Sequence, residues 1–400
     1  MSLLKKLKKV KKRRFEFWVK ILLVTGIFVG CCFLYAKDKN IHIFNTDHIS
    51  LLKSKIFTYF DKNNGERVID ETIFETRQDI GFNSSFGTYK DYIVECNKDS
   101  INLMDRKGAV VCTFRASINN PLIISDGYYL LVADIGGKDI IVIMDKEVKW
   151  EKKLSYDIIN ASINKTGYIS VIHGENRCRA AVTVFNPQGI VSFTTGKAEN
   201  YIIASLVSPS GKYVLLNTVD TSGIKLLSML EYRDMQGNLL GSSTANESCI
   251  FSGLWSIDGD SLCAVGDKKL IYFDKDRVVK WQKDIQGEIF SSGVSQSKYA
   301  IIAKSTEEKT DIFKSNGTDI IVYNARGSKV SSFQINSIIG SMEVYEDILA
   351  LTSGREVYFT NLKGGRIGTY TCKTEVEAVR FLNKGEVLIL SNNGVVLTKI

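Results

Sequence analysis

The feature that most constrains this chain is a repeat. From about residue 67, an apolar strand, a tight polar turn and a second apolar strand recur eight times. The copies lie at 86–94, 124–132, 163–171, 207–215, 255–263, 294–302, 344–351 and 381–389, one every 36 to 50 residues or so. The surrounding chain is rich in Val, Ile, Tyr, Phe and Thr, lacks helical periodicity and carries turn residues at short intervals, so it reads as β structure throughout. A second turn follows each copy except the last. It pairs Asp or Asn with a Gly three places on: Asp105 with Gly108, Asn186 with Gly189, Asp234 with Gly237, Asn324 with Gly327 and Asn361 with Gly364. Asp145 and Asp274 mark the same place without the Gly. These are the residues a type I hairpin turn prefers at its first and fourth positions. The strand that follows often ends in an aromatic: Phe114, Trp150, Phe193, Trp281, Phe333 or Tyr370.

Each repeat therefore supplies four short antiparallel strands. One such sheet cannot bury both of its faces, but sheets packed radially can, and a closed ring leaves no long exposed edge. The expected fold is all-β, an eight-bladed β-propeller, with seven blades as the alternative count. The last repeat has only three strands before Ile400, and residues 67–74 form an unpaired strand candidate. Joining the two would complete an eighth blade and clasp the ring.

Three motifs carry a resemblance. Val-Lys-Trp150 and Val-Lys-Trp281 resemble the outer-strand tryptophans of quinoprotein-type propellers, and residues 207–212, Val-Ser-Pro-Ser-Gly-Lys, resemble the inner turn of WD40- and TolB-like propellers. The whole layout resembles a Gram-positive family of single-pass membrane proteins with a quinoprotein-like propeller of unassigned function. That resemblance implies a fold and no activity.

The formal net charge of +8 has one source. Residues 1–20 hold nine basic residues and one acid, and the remaining 380 are neutral, with 43 basic and 43 acidic groups. A basic nucleic-acid-binding domain is thus disfavoured, and no nucleic acid is expected as a partner. The basic arm, residues 1–16, is followed by Phe-Trp-Val-Lys and an uncharged run from residue 21 to 36. With Lys20 snorkelling, 17–36 has about the length needed to cross a bilayer as one transmembrane helix, and Trp18 and Tyr35 sit at its ends. The positive-inside rule places the N-terminus in the cytoplasm and the rest outside, in a single-pass cell-membrane protein. Residues 27–31, Ile-Phe-Val-Gly-Cys, resemble a loose lipobox, so acylation of Cys31 is a second route to the same membrane face. A signal-peptide cut after Ala36 would put the large Leu34 where a small residue is wanted.

Residues 37–66 read as a stalk with a short amphipathic helix, in which Ile49, Leu52, Ile56 and Tyr59 or Phe60 recur at helical spacing. The propeller would occupy 67–400. No catalytic, cofactor-binding or metal-binding residues are assigned. His42, His48 and His173 have no partners at zinc-ligand spacing, and no nucleophile elbow, dinucleotide fingerprint or P-loop is present. Asp258 and Asp260 fit a plain repeat turn better than a calcium loop. Cys96, Cys112, Cys178, Cys249, Cys263 and Cys372 are expected to be mostly reduced and buried, with Cys178 the exception; Cys263 should oppose about residue 254, out of disulfide reach of Cys249. The Trp and Tyr residues are expected to pack blades.

In four-stranded blades the loops joining second to third strands emerge on one face. Three are longer here, at 173–179, 218–225 and 304–318, and Phe313 is a contact candidate in the last. Such insertions often mark a binding surface, here for a protein or wall-polymer partner; the other reading is drift in solvent-exposed loops, which tolerate insertion cheaply. The expected function is a membrane-anchored, non-enzymatic binding or scaffold module at the cell envelope. The alternative is an envelope-glycan hydrolase or lyase with carboxylates gathered in the central channel.

Overall fold

The computed structural model of this chain describes residues 67–77, 84–243, 246–247, 249–295, 298–305 and 317–400. They form eight antiparallel sheets. Blades 1 to 7 occupy residues 85–115, 121–153, 158–197, 200–247, 253–284, 289–335 and 341–371, each with its strands paired in sequence order. Blade 8 combines three strands from 376–399 with an outer strand from the start of the domain, Thr72–Arg77. The expectation of eight blades holds and seven is set aside. The outer strand of blade 4 is split into Leu239–Ser242 and Asn246–Glu247, both paired with the third strand. The expected arm, membrane helix and stalk lie outside the described residues, and among the described residues no helix is long and apolar enough to cross a membrane.

The clasp forms where the sequence places it, with shifted bounds. Thr72 to Arg77 pair with Thr398 to Gly394, while residues 67–69 run beside the outer strand of blade 7 through Ile69 N–H to Thr369 O (2.9 Å). Thr398 Oγ1 donates to Glu71 O at 2.8 Å, and Lys399 pairs with the Glu71 carboxylate.

Burial explains why the ring is the stable form. Among the described residues there are eight apolar clusters, and each bridges two successive blades. The closing one joins Phe86, Ile93 and Met104 of blade 1 to Leu382, Leu388, Val395 and Leu397 of blade 8. A blade's middle strands are covered on both sides, so they read as continuous apolar runs such as Leu-Leu-Val-Ala at 130–133 rather than as alternation.

A second contact repeats around the rim. Each Asx-x-x-Gly turn uses the Asx oxygen twice, as in Asn324 Oδ1, which accepts from Arg326 N–H and Ser328 N–H at 3.0 Å each. The same double acceptance occurs at Asp105, Asn186, Asp234, Asp274 and Asn361. The fourth residue has positive φ, +76° at Gly327 and +67° at Arg277 in the Gly-less turn of blade 5. The third-to-outer strand register then slips by one residue, as at Val322/Tyr323, so the hairpin is a type I turn closed by a glycine bulge. Blade 2 differs: Asp145 and Lys146 both take positive φ in a two-residue turn.

The glycine is needed for a further reason. The preceding blade's outer-strand aromatic lies against it: Trp150 on Gly189, Phe193 on Gly237, Trp281 on Gly327, Phe333 on Gly364, and Phe74 of the clasp on Gly108. A Cβ on Gly327 would come within 2.8 Å of the Trp281 ring. Trp150 and Trp281 also donate their indole N–H across the same junction, to Pro187 O (3.2 Å) and Ala325 O (2.9 Å). The expectation that the aromatics pack blades is met at these positions.

Candidate functional site at the mouth of the ring

Strand order divides the ring into two faces. The first-to-second and third-to-outer turns emerge on one, the turn face. The second-to-third loops and the blade-to-blade connections emerge on the other, the loop face. The innermost strands start at the loop face and line the central channel, each packing on the next around the closed circle.

Four of these strands carry a bulge near their start. In blade 3, Ile158 pairs with His173 and Asn160 with Ile172, leaving Ile159 unpaired. The same skip isolates Ile203 in blade 4, Phe290 in blade 6 and Glu377 in blade 8. A bulge breaks the ladder and re-aims a side chain. Ile159 is 51% exposed and Phe290 40%, as is Tyr201, beside the bulge in blade 4. Arg179 rises from the blade 3 hairpin over the Tyr201 ring, 5.1 Å from its centroid, and donates to the Tyr201 hydroxyl at 2.8 Å. The mouth of the channel thus displays Ile159, Tyr201 and Phe290, with the Arg179 guanidinium held over Tyr201 and the exposed Glu377 at the blade 8 bulge. Sequence reasoning missed the bulges, though a trace existed: adjacent apolar pairs such as Ile158-Ile159 and Ile289-Phe290 break the alternation of an ordinary strand.

Deeper in, neighbouring inner strands are tied in pairs. Ser125 Oγ donates to Thr88 O (2.8 Å), Ser162 Oγ to Ser205 O (3.1 Å) and Trp255 Nε1–H to Ser292 Oγ (3.0 Å), while Arg380 Nη1 lies 3.4 Å from Glu343 Oε2. These links join blades 1 and 2, 3 and 4, 5 and 6, and 7 and 8. Burial pushes the Glu343 carboxyl above the usual carboxylate range, and the Arg380 charge pulls against that shift. Asp126, at the turn-face end of blade 2's inner strand, is also raised by its crowded surroundings, against the Lys165 charge and the N–H groups of Gly127 and Lys165. Among the described residues no group of three His, Cys, Asp or Glu could hold a metal ion.

The three sequence-flagged loops join second to third strands, on the loop face as expected, but two are shorter than they read. Residues 173–179 are largely strand: Ile169–Glu175 and Cys178–Phe185 pair up to Glu175 opposite Cys178, leaving a two-residue turn with Arg177 at φ +63°. The sequence Gly-Glu-Asn-Arg read as a loop, but cross-strand pairing carries the ladder through it. His173 is buried there, Nε2 2.8 Å from Thr183 Oγ1, with Tyr156 stacked on its ring. Residues 218–225 contract to a loop at 221–226, where Ile224 is fully exposed. In 304–318, residues 306–316 and hence Phe313 lie outside the described residues.

The cysteines largely behave as expected. The six from Cys96 to Cys372 are free, and Cys96, Cys249, Cys263 and Cys372 are buried. Burial pushes the Cys96 and Cys263 thiols up to about 12 and those of Cys249 and Cys372 up to about 11, so they are inert at neutral pH. Cys263 opposes Trp255, one residue from the expected partner. Cys178 is only half-buried, beside Gly196, but so is Cys112, so Cys178 is not the single exception expected. A groove of about 420 Å³ outside blades 1 and 2 is lined by Arg115, Asp139, Glu151, Lys152 and Lys153. Its charges partly cancel, with Lys153 3.7 Å from Asp139.

The ring, its clasp and its repeated turns span the stretch over which this chain matches a known family, residues 64–399. The chain belongs to the Family of unknown function (DUF5711). No curated protein matches it. Solved structures with the same architecture include BamB from Moraxella catarrhalis, at 12% identity and a TM-score of 0.53, covering 81% of this chain and 100% of that one. Another, described as a eukaryotic initiation factor, has 11% identity and a TM-score of 0.51, covering 82% and 88%. At these identities the likeness shows the β-propeller fold alone and fixes no chemistry.

Proposed function

We propose that this protein is a single-pass membrane protein whose propeller stands outside the cell and binds a partner at the loop-face mouth of its ring. The basic arm and apolar run of residues 1–36 support the anchoring and its orientation. The observation that carries the binding surface is the bulged inner strands, which set Ile159 and Phe290 at the mouth beside Tyr201 and Arg179. Exposed aromatics with an oriented Arg are the residues that dominate protein–protein contacts, so a protein partner is the first reading and a wall polymer the second. Glycan cleavage would need at least two carboxylates facing a substrate. Of the two raised acids found here, Glu343 faces an arginine and Asp126 sits on a turn, which favours binding over cleavage.

The experiment is crosslinking in intact cells from a photoreactive residue at position 290. A protein partner gives a discrete adduct that disappears with Tyr201→Ala. A wall polymer gives a smear that a muramidase collapses. If neither forms, the mouth is not the binding surface. Protease shaving of the same cells should remove the propeller and spare residues 1–16.

A further inference from the structure

We infer that the outer rim of the turn face rests on an anionic lipid surface; this depends on the membrane-anchored reading above. Exposed large apolar side chains recur at one structural position. Val110, Val148, Val191, Leu239 and Val279 each stand on the turn side of the outer-strand register slip in blades 1 to 5, each 41–56% exposed, and Ile190, Val278 and Val330 are exposed one place from that position in blades 3, 5 and 6. Because those turns all emerge on the same face, these residues of blades 1 to 6 form an apolar arc along one edge of the ring. Scattered exposed hydrophobics are ordinary; the same position exposed in five successive blades, with an exposed valine one place on in the sixth, is a patterned patch.

Charge accompanies the arc. The turn-and-strand segments 105–111, 145–149, 186–191, 234–240, 274–280, 324–330 and 361–367 hold eleven Lys and Arg against six Asp and Glu. The inner turns of the same face, at 90–91, 127–128, 164–168, 208–212, 257–261, 298, 346–347 and 384–385, balance at five and five. The body of the protein is neutral, so this excess is local to the rim. Three of the six rim acids, Asp105, Asp234 and Asp274, are also turned inward on their own backbone N–H groups. An apolar band flanked by Lys and Arg is the pattern by which an element settles at an anionic headgroup boundary. Chain length permits it: residues 37–66 span at most about 105 Å at full extension, so an anchor at 17–36 keeps the ring at its membrane. The loop-face mouth would then look away from the lipid.

The test uses the full chain with Trp18→Phe, reconstituted in vesicles containing phosphatidylglycerol. Ile190→Trp and Val278→Trp probe the rim, and Ile338→Trp probes the loop face at matched exposure. Brominated lipid should quench the rim tryptophans at least twofold more than Trp at 338, and the difference should vanish in phosphatidylcholine or at about 1 M salt, where screening shortens to about 3 Å. Equal quenching at all three sites would overturn the inference. So would rim tryptophans shielded from aqueous quencher but untouched by brominated lipid, because protein, such as residues 47–60, would then cover the arc. Flotation with the vesicles after carbonate extraction checks the anchor separately. If the chain does not float, the anchored reading fails; if it floats without rim quenching, only this inference fails.

Discussion

The two faces of this ring are built on different terms. On the turn face, six blades repeat one device: an Asx oxygen holding two N–H groups, a residue of positive φ, and a one-residue register slip. In five junctions the preceding blade's aromatic lies on the turn glycine. The loop face repeats less: in blades 1, 2, 5 and 7 the connection to the next blade donates two N–H groups to the second-to-third hairpin, as Leu154 does to Lys138 O and Ile158 to Gly137 O, and the other blades depart from this. Blade 3 carries a tall hairpin, blade 4 an open loop, and only four of the eight inner strands are bulged. The turn face is where blades lock to one another, so its residues are fixed by packing. The loop face also ties blades together, as Ile158 N–H does to Gly137 O, but its loops differ in length from blade to blade and are free to carry recognition.

This contrast can be broken by measurement. The largest effect should come from the clasp. A chain beginning at residue 84 should be less stable than one beginning at residue 61 by at least about 3 kcal/mol, and should aggregate through the bared edge of the last strand, as denaturant melts and light scattering would show. Gly327→Val should follow, at about 2–3 kcal/mol, since it meets both the positive φ and the Trp281 ring. Asn324→Ala should cost about 1 kcal/mol by handing two exposed N–H donors from the Asn oxygen to water. At the mouth, Tyr201→Ala should change stability by about 0.5 kcal/mol or less while abolishing the crosslink from position 290. Should the mouth variant prove as destabilising as the turn variants, the division of labour between the faces is wrong.

A finer comparison lies within the turn face. Asp234 and Asp274 sit below the usual carboxylate range; the Asn238 side chain is the main cause for the first and the Val278 N–H for the second. A depressed folded value means their support is present at neutral pH and fades as pH falls through it. Both groups are open to solvent, so the effect is local. Hydrogen exchange on acidification should loosen the turns of blades 4 and 5 before those of blades 3, 6 and 7, which have Asn in the same place. Asp234→Asn with Asp274→Asn should remove that difference.

The blade count, the order of strands and the clasp were legible in the amino-acid sequence, because a hairpin turn needs particular residues within four positions and a β-strand needs its apolar side chains in series. Both are local requirements, and eight copies of them state the ring. The loop at 173–179 was misread for the opposite reason: whether Gly174 to Arg179 continue a ladder depends on the strand across from them. The same holds for the display of Ile159 and Phe290, which follows from one unpaired residue, and for the partnership of Arg380 with Glu343, which lie 37 positions apart on neighbouring blades. Nor does composition place the rim's charge, since a neutral body hides an excess that only closure brings to one edge. Sequence alone determined that this chain must close on itself; the closed ring decided which side chains were left over for anything else to touch, because exposure belongs to surfaces and not to segments.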